Sequence, residues 1–116
     1  MQTDKQWQDL IAVDELEAEW MIPASLGERQ FAVYCVKGEV YITRAQCTHA
    51  AAKLCDGYLQ DYQVECPLHQ GSFDIRTGEA LYAPATRPLL CFDSRVENGM
   101  VQVLIQTASN AAVNSG

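Results

Sequence analysis

The stretch from Cys47 to Asp74, CTHAAAKLCDGYLQDYQVECPLHQGSFD, constrains this chain more than any other. It contains both histidines of the protein, each beside a cysteine, in Cys47-Thr48-His49 and Cys66-Pro67-Leu68-His69. A C-x-H is therefore followed, sixteen residues later, by a C-x-x-H. Two soft thiolates and two imidazoles form a donor set suited to a transition metal. A fold that uses them must bring two separate loops together on rigid supports.

An isolated histidine is more often a core or surface residue than a ligand. Two histidines, each next to a cysteine at a matching offset, are not explained that way. Two metal readings follow. All four side chains can hold one zinc ion in a structural module. Alternatively they hold a 2Fe-2S cluster, with Cys47 and Cys66 on one iron and His49 and His69 on the other, so that each loop spans both irons. The second is preferred because each pair supplies one sulfur and one nitrogen, whereas a zinc finger usually pairs like with like.

The remaining cysteines are three of five, Cys35, Cys55 and Cys91. An odd count gives no even disulfide framework. Cys35 and Cys91 lie in apolar, strand-like runs and read as small buried hydrophobes. The chain of 116 residues is long enough for one domain with a modest core. Its formal net charge of -7 argues against nucleic acid and favours a partner with a basic face. Five carboxylates, Asp56, Asp61, Glu65, Asp74 and Glu79, face two bases, Lys53 and Arg76, between residues 53 and 79. The N-terminus lacks a secretory h-region and no apolar run has the length of a membrane span, which leads to the expectation of a cytoplasmic protein.

Alternating apolar residues and turn dipeptides predict short strands throughout. Residues 7–13 form a first strand, 14–20 a loop, and 21–26 an edge strand, since Pro23 cannot donate to a ladder. The hairpin of 31–37 and 39–45 turns at Lys37-Gly38 and should bury one face of its sheet. Residues 58–65 make a small ribbon, 73–75 and 79–82 a hairpin about Thr77-Gly78, and 89–96 and 100–105 a last hairpin about Asn98-Gly99. Pro84 and Pro88 stiffen the intervening loop. The expected fold class is all-β, an antiparallel sandwich or barrel.

CTHAAAKLCDGYL, VECPLHQGSFDIRTGEA and the APATRP loop resemble the Rieske ferredoxins that serve bacterial aromatic-ring-hydroxylating dioxygenases, over residues 7–105. The resemblance implies an antiparallel Rieske-type sandwich, residues 1–107 as one domain with a cluster-binding subdomain inserted at about 46–84, and a flexible tail at 108–116. It implies a Rieske 2Fe-2S cluster held by Cys47, His49, Cys66 and His69, with the two histidines as the exposed edge. The implied function is one-electron transfer from a flavin-dependent NAD(P)H:ferredoxin reductase to a terminal oxygenase, and a monomer is the default expectation. No catalytic residue is implied, nor any nucleic acid or membrane partner. A Rieske-type small subunit of a nitrite reductase, a carrier for a monooxygenase, and a structural zinc module are the alternatives.

The chain departs from the high-potential Rieske proteins of cytochrome bc complexes, to which the family is related. Their loop-bracing disulfide positions correspond to Ala52 and Leu68, so Cys55 has no partner there. Their hydrogen-bonding Ser and Tyr correspond to Gly71 and Phe73, whose side chains cannot donate. Fewer hydrogen bonds to sulfur imply a lower reduction potential.

Overall fold

The computed structural model describes residues 4–47, 52–67, 71–82 and 87–107. Eleven strands make three antiparallel sheets among them. The first sheet has the order β1-β11-β10, from Asp4–Ala12, Met100–Thr107 and Ser94–Glu97. The second is β2-β3-β4-β9, from Trp20–Leu26, Arg29–Val36, Glu39–Arg44 and Cys91–Phe92. The third is the small sheet β5-β6-β7-β8, from Tyr58–Gln60, Gln63–Glu65, Ser72–Asp74 and Ala80–Tyr82. Residues 13–19 open with a 3-10 turn at Val13–Glu15 and otherwise form loop, and Trp20 already belongs to β2. No α-helix occurs among the described residues, and the all-β expectation holds.

The β3–β4 and β10–β11 hairpins turn where the dipeptides place them. Lys37 and Gly38 have φ of 53° and 80°, and Asn98 and Gly99 have 53° and 78°. Two successive left-handed residues give a type I′ turn, whose twist matches that of the strands it joins. Pro23 lies on β2, an edge strand, as its missing N–H requires.

Two expectations are corrected. The β3–β4 sheet does not bury a single face. Phe31 and Val33 enter one core with Ile42, Val101 and Val103, while Ala32, Tyr34 and Val36 enter a second core. The first and third sheets cover opposite sides of the second, and an apolar run such as FAVYCV is how a doubly buried strand reads. Residues 89–96 do not form one strand either. β9 pairs with β4 through Ile42–Phe92 and Thr43–Cys91, and β10 pairs with β11 from Ser94 onward. The chain changes sheets at Asp93, whose carbonyl accepts from Leu104 N–H at 3.0 Å. Phe92 then sits edge-on to Phe31, with ring centroids 5.1 Å apart, and closes the sandwich.

One polar pair lies in this interior. Tyr34 and Thr43 hydroxyls are 2.9 Å apart, and Thr43 donates onward to the Arg44 carbonyl at 2.9 Å. Tyr34 therefore donates to Thr43, and burial raises its pKa far above that of free tyrosine.

A lateral contact fastens the small sheet to the β3–β4 hairpin. Tyr62, in the β5–β6 turn, lies edge-on to Tyr41 with centroids 5.9 Å apart. The Arg76 guanidinium stands 4.1 Å from the Tyr62 ring centre and the Lys37 ammonium 5.1 Å from it. Asp74 holds Arg76 by two hydrogen bonds of 3.1 and 2.9 Å. Ring and cation contacts of this kind contribute on the order of 0.5–1.5 kcal/mol each. Replacing Tyr62 with Ala should therefore lower the unfolding free energy by about 2 kcal/mol, as read in a urea titration; an unchanged midpoint would refute the fastening.

Asp74 titrates below its usual value, chiefly because the Arg76 side chain donates to it. A carboxylate with a lowered folded pKa stabilises fully above the ordinary carboxylate pKa and loses that contribution as pH falls through the lowered value. Asp74→Asn should accordingly be less stable than the parent at neutral pH, and the gap should narrow as pH falls below the ordinary carboxylate range. Urea titrations at neutral pH and below that range check this.

Candidate metal centre

Both cysteines of the paired motifs emerge from hairpin ends, and the backbone treats them alike. The first segment leaves β4 through a short ladder. Leu54 N–H donates to Ala45 at 2.8 Å, Gln46 bridges Lys53, and Cys47 N–H donates to the Ala52 carbonyl at 2.9 Å. The second tops the β6–β7 hairpin. Beyond the Glu65–Ser72 pair, Cys66 N–H donates to the Gly71 carbonyl at 2.7 Å. In each case a cysteine N–H closes the segment on the carbonyl five residues ahead. His49 and His69 fall inside these two segments and lie outside the described residues, as do Leu68, Pro84 and the tail 108–116.

Cys47 is 6% exposed and Cys66 is fully buried, and both belong to one apolar cluster. Leu54, Val64, Phe73, Ile75 and Leu89 are its other large members near the loops. Tyr34 and Met21 close it from the middle sheet. The structure thus brings together the two cysteines that the motif selects. Tyr34 and Val36 also belong to this cluster, and no local motif marks them. Being apolar does not tell such a residue apart from one in the other core, because only strand register decides what it faces.

Phe73 is fully buried in this cluster and Ala52 nearly so. Neither carries a side-chain donor or a thiol. Cys55 sits in a 3-10 turn at Leu54–Asp56 and packs on the cluster's edge, and its thiol pKa is pushed up to about 11 by burial and then by the Asp56 charge. Burial also raises the pKa of Cys91, in β9. Both remain protonated thiols at neutral pH.

Gly57 permits the close fit behind the second segment. A Cβ there would run into the Glu65 carbonyl oxygen and stand 3.1 Å from Pro67 Cδ, immediately beyond Cys66. The segment returning from residue 87 is tied down as well. Leu89 N–H donates to the Gly78 carbonyl at 2.7 Å, and Arg44 N–H donates to the Leu90 carbonyl at 3.0 Å.

The acidic residues around the centre are partly neutralised. Asp74 is engaged by Arg76, and Asp61 lies 4.0 Å from Lys37. Asp56 and Glu79 are exposed and Glu65 is half-buried. The acidic face is narrower than five carboxylates in sequence suggest.

The family model described as Rieske 2Fe-2S domain matches residues 6–98. The ferredoxin component of the naphthalene 1,2-dioxygenase/salicylate 5-hydroxylase systems of Ralstonia sp. is 36% identical over 100 residues, covering 86% of this chain and 96% of that protein. Sphingomonas yanoikuyae B1 ferredoxin superposes with a TM-score of 0.80 at 35% identity, over 84% of this chain and 97% of the other. The ferredoxin-containing complex of reduced oxygenase and oxidized ferredoxin in carbazole 1,9a-dioxygenase gives a TM-score of 0.77 at 34% identity, with 84% and 91% covered.

Because the Gly57 site has no room for a methyl group, Gly57→Ala should cost at least about 2 kcal/mol. Thermal unfolding followed by far-ultraviolet circular dichroism measures it; a variant as stable as the parent would show that the contact yields.

Proposed function

The chain belongs to the Rieske 2Fe-2S domain family, and from that premise we propose that it is the ferredoxin component of an aromatic-ring dioxygenase system. It takes single electrons from a flavin-dependent NAD(P)H:ferredoxin reductase and delivers them to the Rieske cluster of a terminal oxygenase. Its cofactor is a Rieske 2Fe-2S cluster. We assign Cys47 and Cys66 to one iron and His49 and His69 to the other. When bound, the cluster supplies a one-electron couple.

The observation that carries this reading is the shared apolar cluster around Cys47 and Cys66. Two ferric ions, two sulfides and two thiolates sum to zero charge, so an oxidised Rieske cluster suits a dry interior that would reject an unpaired ion. The two cysteine N–H groups are already engaged by Ala52 and Gly71, which holds the thiol-bearing backbone at the hairpin ends. Phe73 and Leu89 are buried in the same apolar cluster as both cysteine sulfurs. Phe73 offers them no hydrogen bond, which places the potential towards the lower end of the Rieske range of roughly -150 to +300 mV.

The chain's own inventory fits a carrier and not an oxygenase. A mononuclear iron site needs two further histidines and a carboxylate. Both histidines of this chain are used by the cluster assignment. Residues 1–107 act as one domain, with about 46–84 as the cluster-binding subdomain and 108–116 as a tail. The separate β5–β8 sheet supports that division. Among the described residues no helix is long and apolar enough to cross a membrane, and we place the monomer in the cytoplasm.

Dithionite-reduced protein should give a Rieske-type paramagnetic resonance signal, with average g below that of all-cysteine clusters and two irons and two sulfides per chain. His49→Ala and His69→Ala should lose it. Zinc without a signal in anaerobically purified protein would overturn the reading. Phe73→Tyr should raise the midpoint potential by voltammetry, and a value unchanged or lower would sink the hydrogen-bond argument. With a net charge of -7, reduction by the reductase should slow as ionic strength rises, as stopped-flow measurements would record.

A further inference from the structure

The described surface of this acidic chain holds a cleft of about 380 Å³ whose charge runs the other way. Arg29, Phe31, Arg44, Gln46, Leu90 and Phe92 line most of it. The β3–β4 register explains how two arginines meet there. Arg44 is paired with Phe31, and Arg29 lies two residues before Phe31, so all three project from the same face of the sheet. Arg29 leans over the aromatic floor, with its guanidinium carbon 5.9 Å from the ring centres of both Phe31 and Phe92.

Neither arginine is neutralised by the fold. Lys37 and Arg76 have carboxylate partners, whereas neither Arg29 nor Arg44 makes an ion pair among the described residues. Glu28 lies on the cleft wall without bonding to either. Guanidinium groups match a carboxylate through paired N–H donors. Leu90 and Phe92 add an apolar part to the lining, and Leu90 leaves 55% of its surface in solvent. The volume is that of a small-molecule site.

We propose that this cleft binds a small organic acid, a carboxylate carried on a compact apolar group. The carboxylate lies between the Arg29 and Arg44 guanidiniums, and the apolar group covers Leu90 and the edge of Phe92. The site shares its walls with the stem of the first metal-binding segment. Arg44 N–H bonds Leu90, Ala45 N–H bonds Gln30 at 3.2 Å, and Ala45 also accepts from Leu54, a member of the cysteine-bearing core. Occupancy therefore places a negative charge beside the scaffold of the redox centre. The binding claim itself does not depend on the electron-transfer reading.

Benzoate titrated calorimetrically into the full oxidised protein should bind saturably at one site per chain. Arg29→Gln and Arg44→Gln should each weaken it by about tenfold or more, and Glu28→Gln should strengthen it. Arg95→Gln, remote from the cleft and bonded to Gln102, should leave it unchanged. The visible spectrum of each variant verifies that it is folded and loaded. Acetate lacks the apolar group and should bind about tenfold more weakly or worse. A titration that does not saturate, an Arg44→Gln variant that binds like the parent, or equal binding of acetate or inorganic phosphate would each overturn the proposal. None of these outcomes alters the resonance signal, so failure here is separable from failure of the carrier reading.

Discussion

Burial of β3 on both faces is the constraint on which the other elements depend. Ala32, Val33 and Tyr34 are all inaccessible to solvent, although successive residues point to opposite sides. The strand is therefore a wall shared by two cores. Phe31 and Val33 hold the outer sandwich on one side, while Ala32, Tyr34 and Val36 hold the cysteine-bearing core on the other. A one-residue slip in register would exchange the two sets. It would put the bulk of Phe31 where Ala32 belongs and the Tyr34 hydroxyl away from Thr43.

From that wall the metal centre inherits its rigidity. The first cysteine-bearing segment continues directly from β4, which pairs with β3, and the second rises from a sheet whose Val64 and Phe73 pack in the same core as Tyr34. Lateral contact through Tyr62 adds a second point of attachment between the small sheet and the hairpin. An electron carrier benefits from such bracing because a ligand set held by packed elements has little freedom to rearrange. The brace here is packing and backbone hydrogen bonding, with no disulfide between the two segments: position 52 is Ala and position 68 is Leu.

Charge is distributed unevenly over this frame. Asp74 and Asp61 are engaged by Arg76 and Lys37 on the flank of the small sheet, while Arg29 and Arg44 remain without carboxylate partners among the described residues at the end of the middle sheet. A net charge of -7 thus describes the whole chain but not each face of it. Surfaces of opposite sign on one small protein can serve different ligands.

Features encoded by a few adjacent residues were legible in the sequence. The paired motifs singled out Cys47 and Cys66, which the structure brings into one core, Pro23 assigned β2 to an edge, and Lys37-Gly38 and Asn98-Gly99 located the turns. Each depends on a local property: a side-chain donor, a missing N–H, or a tolerated left-handed φ. Tertiary structure alone decided which core each residue of β3 enters, that residues 89–96 divide between two sheets at Asp93, and that Arg29 and Arg44 share a cleft. The strand pattern in CFDSRV specifies an extended chain but not which partner it pairs with. That choice depends on Ile42 and Val103, residues distant in sequence that pack in one core and pair with Phe92 and Ser94 respectively, and no local window contains it.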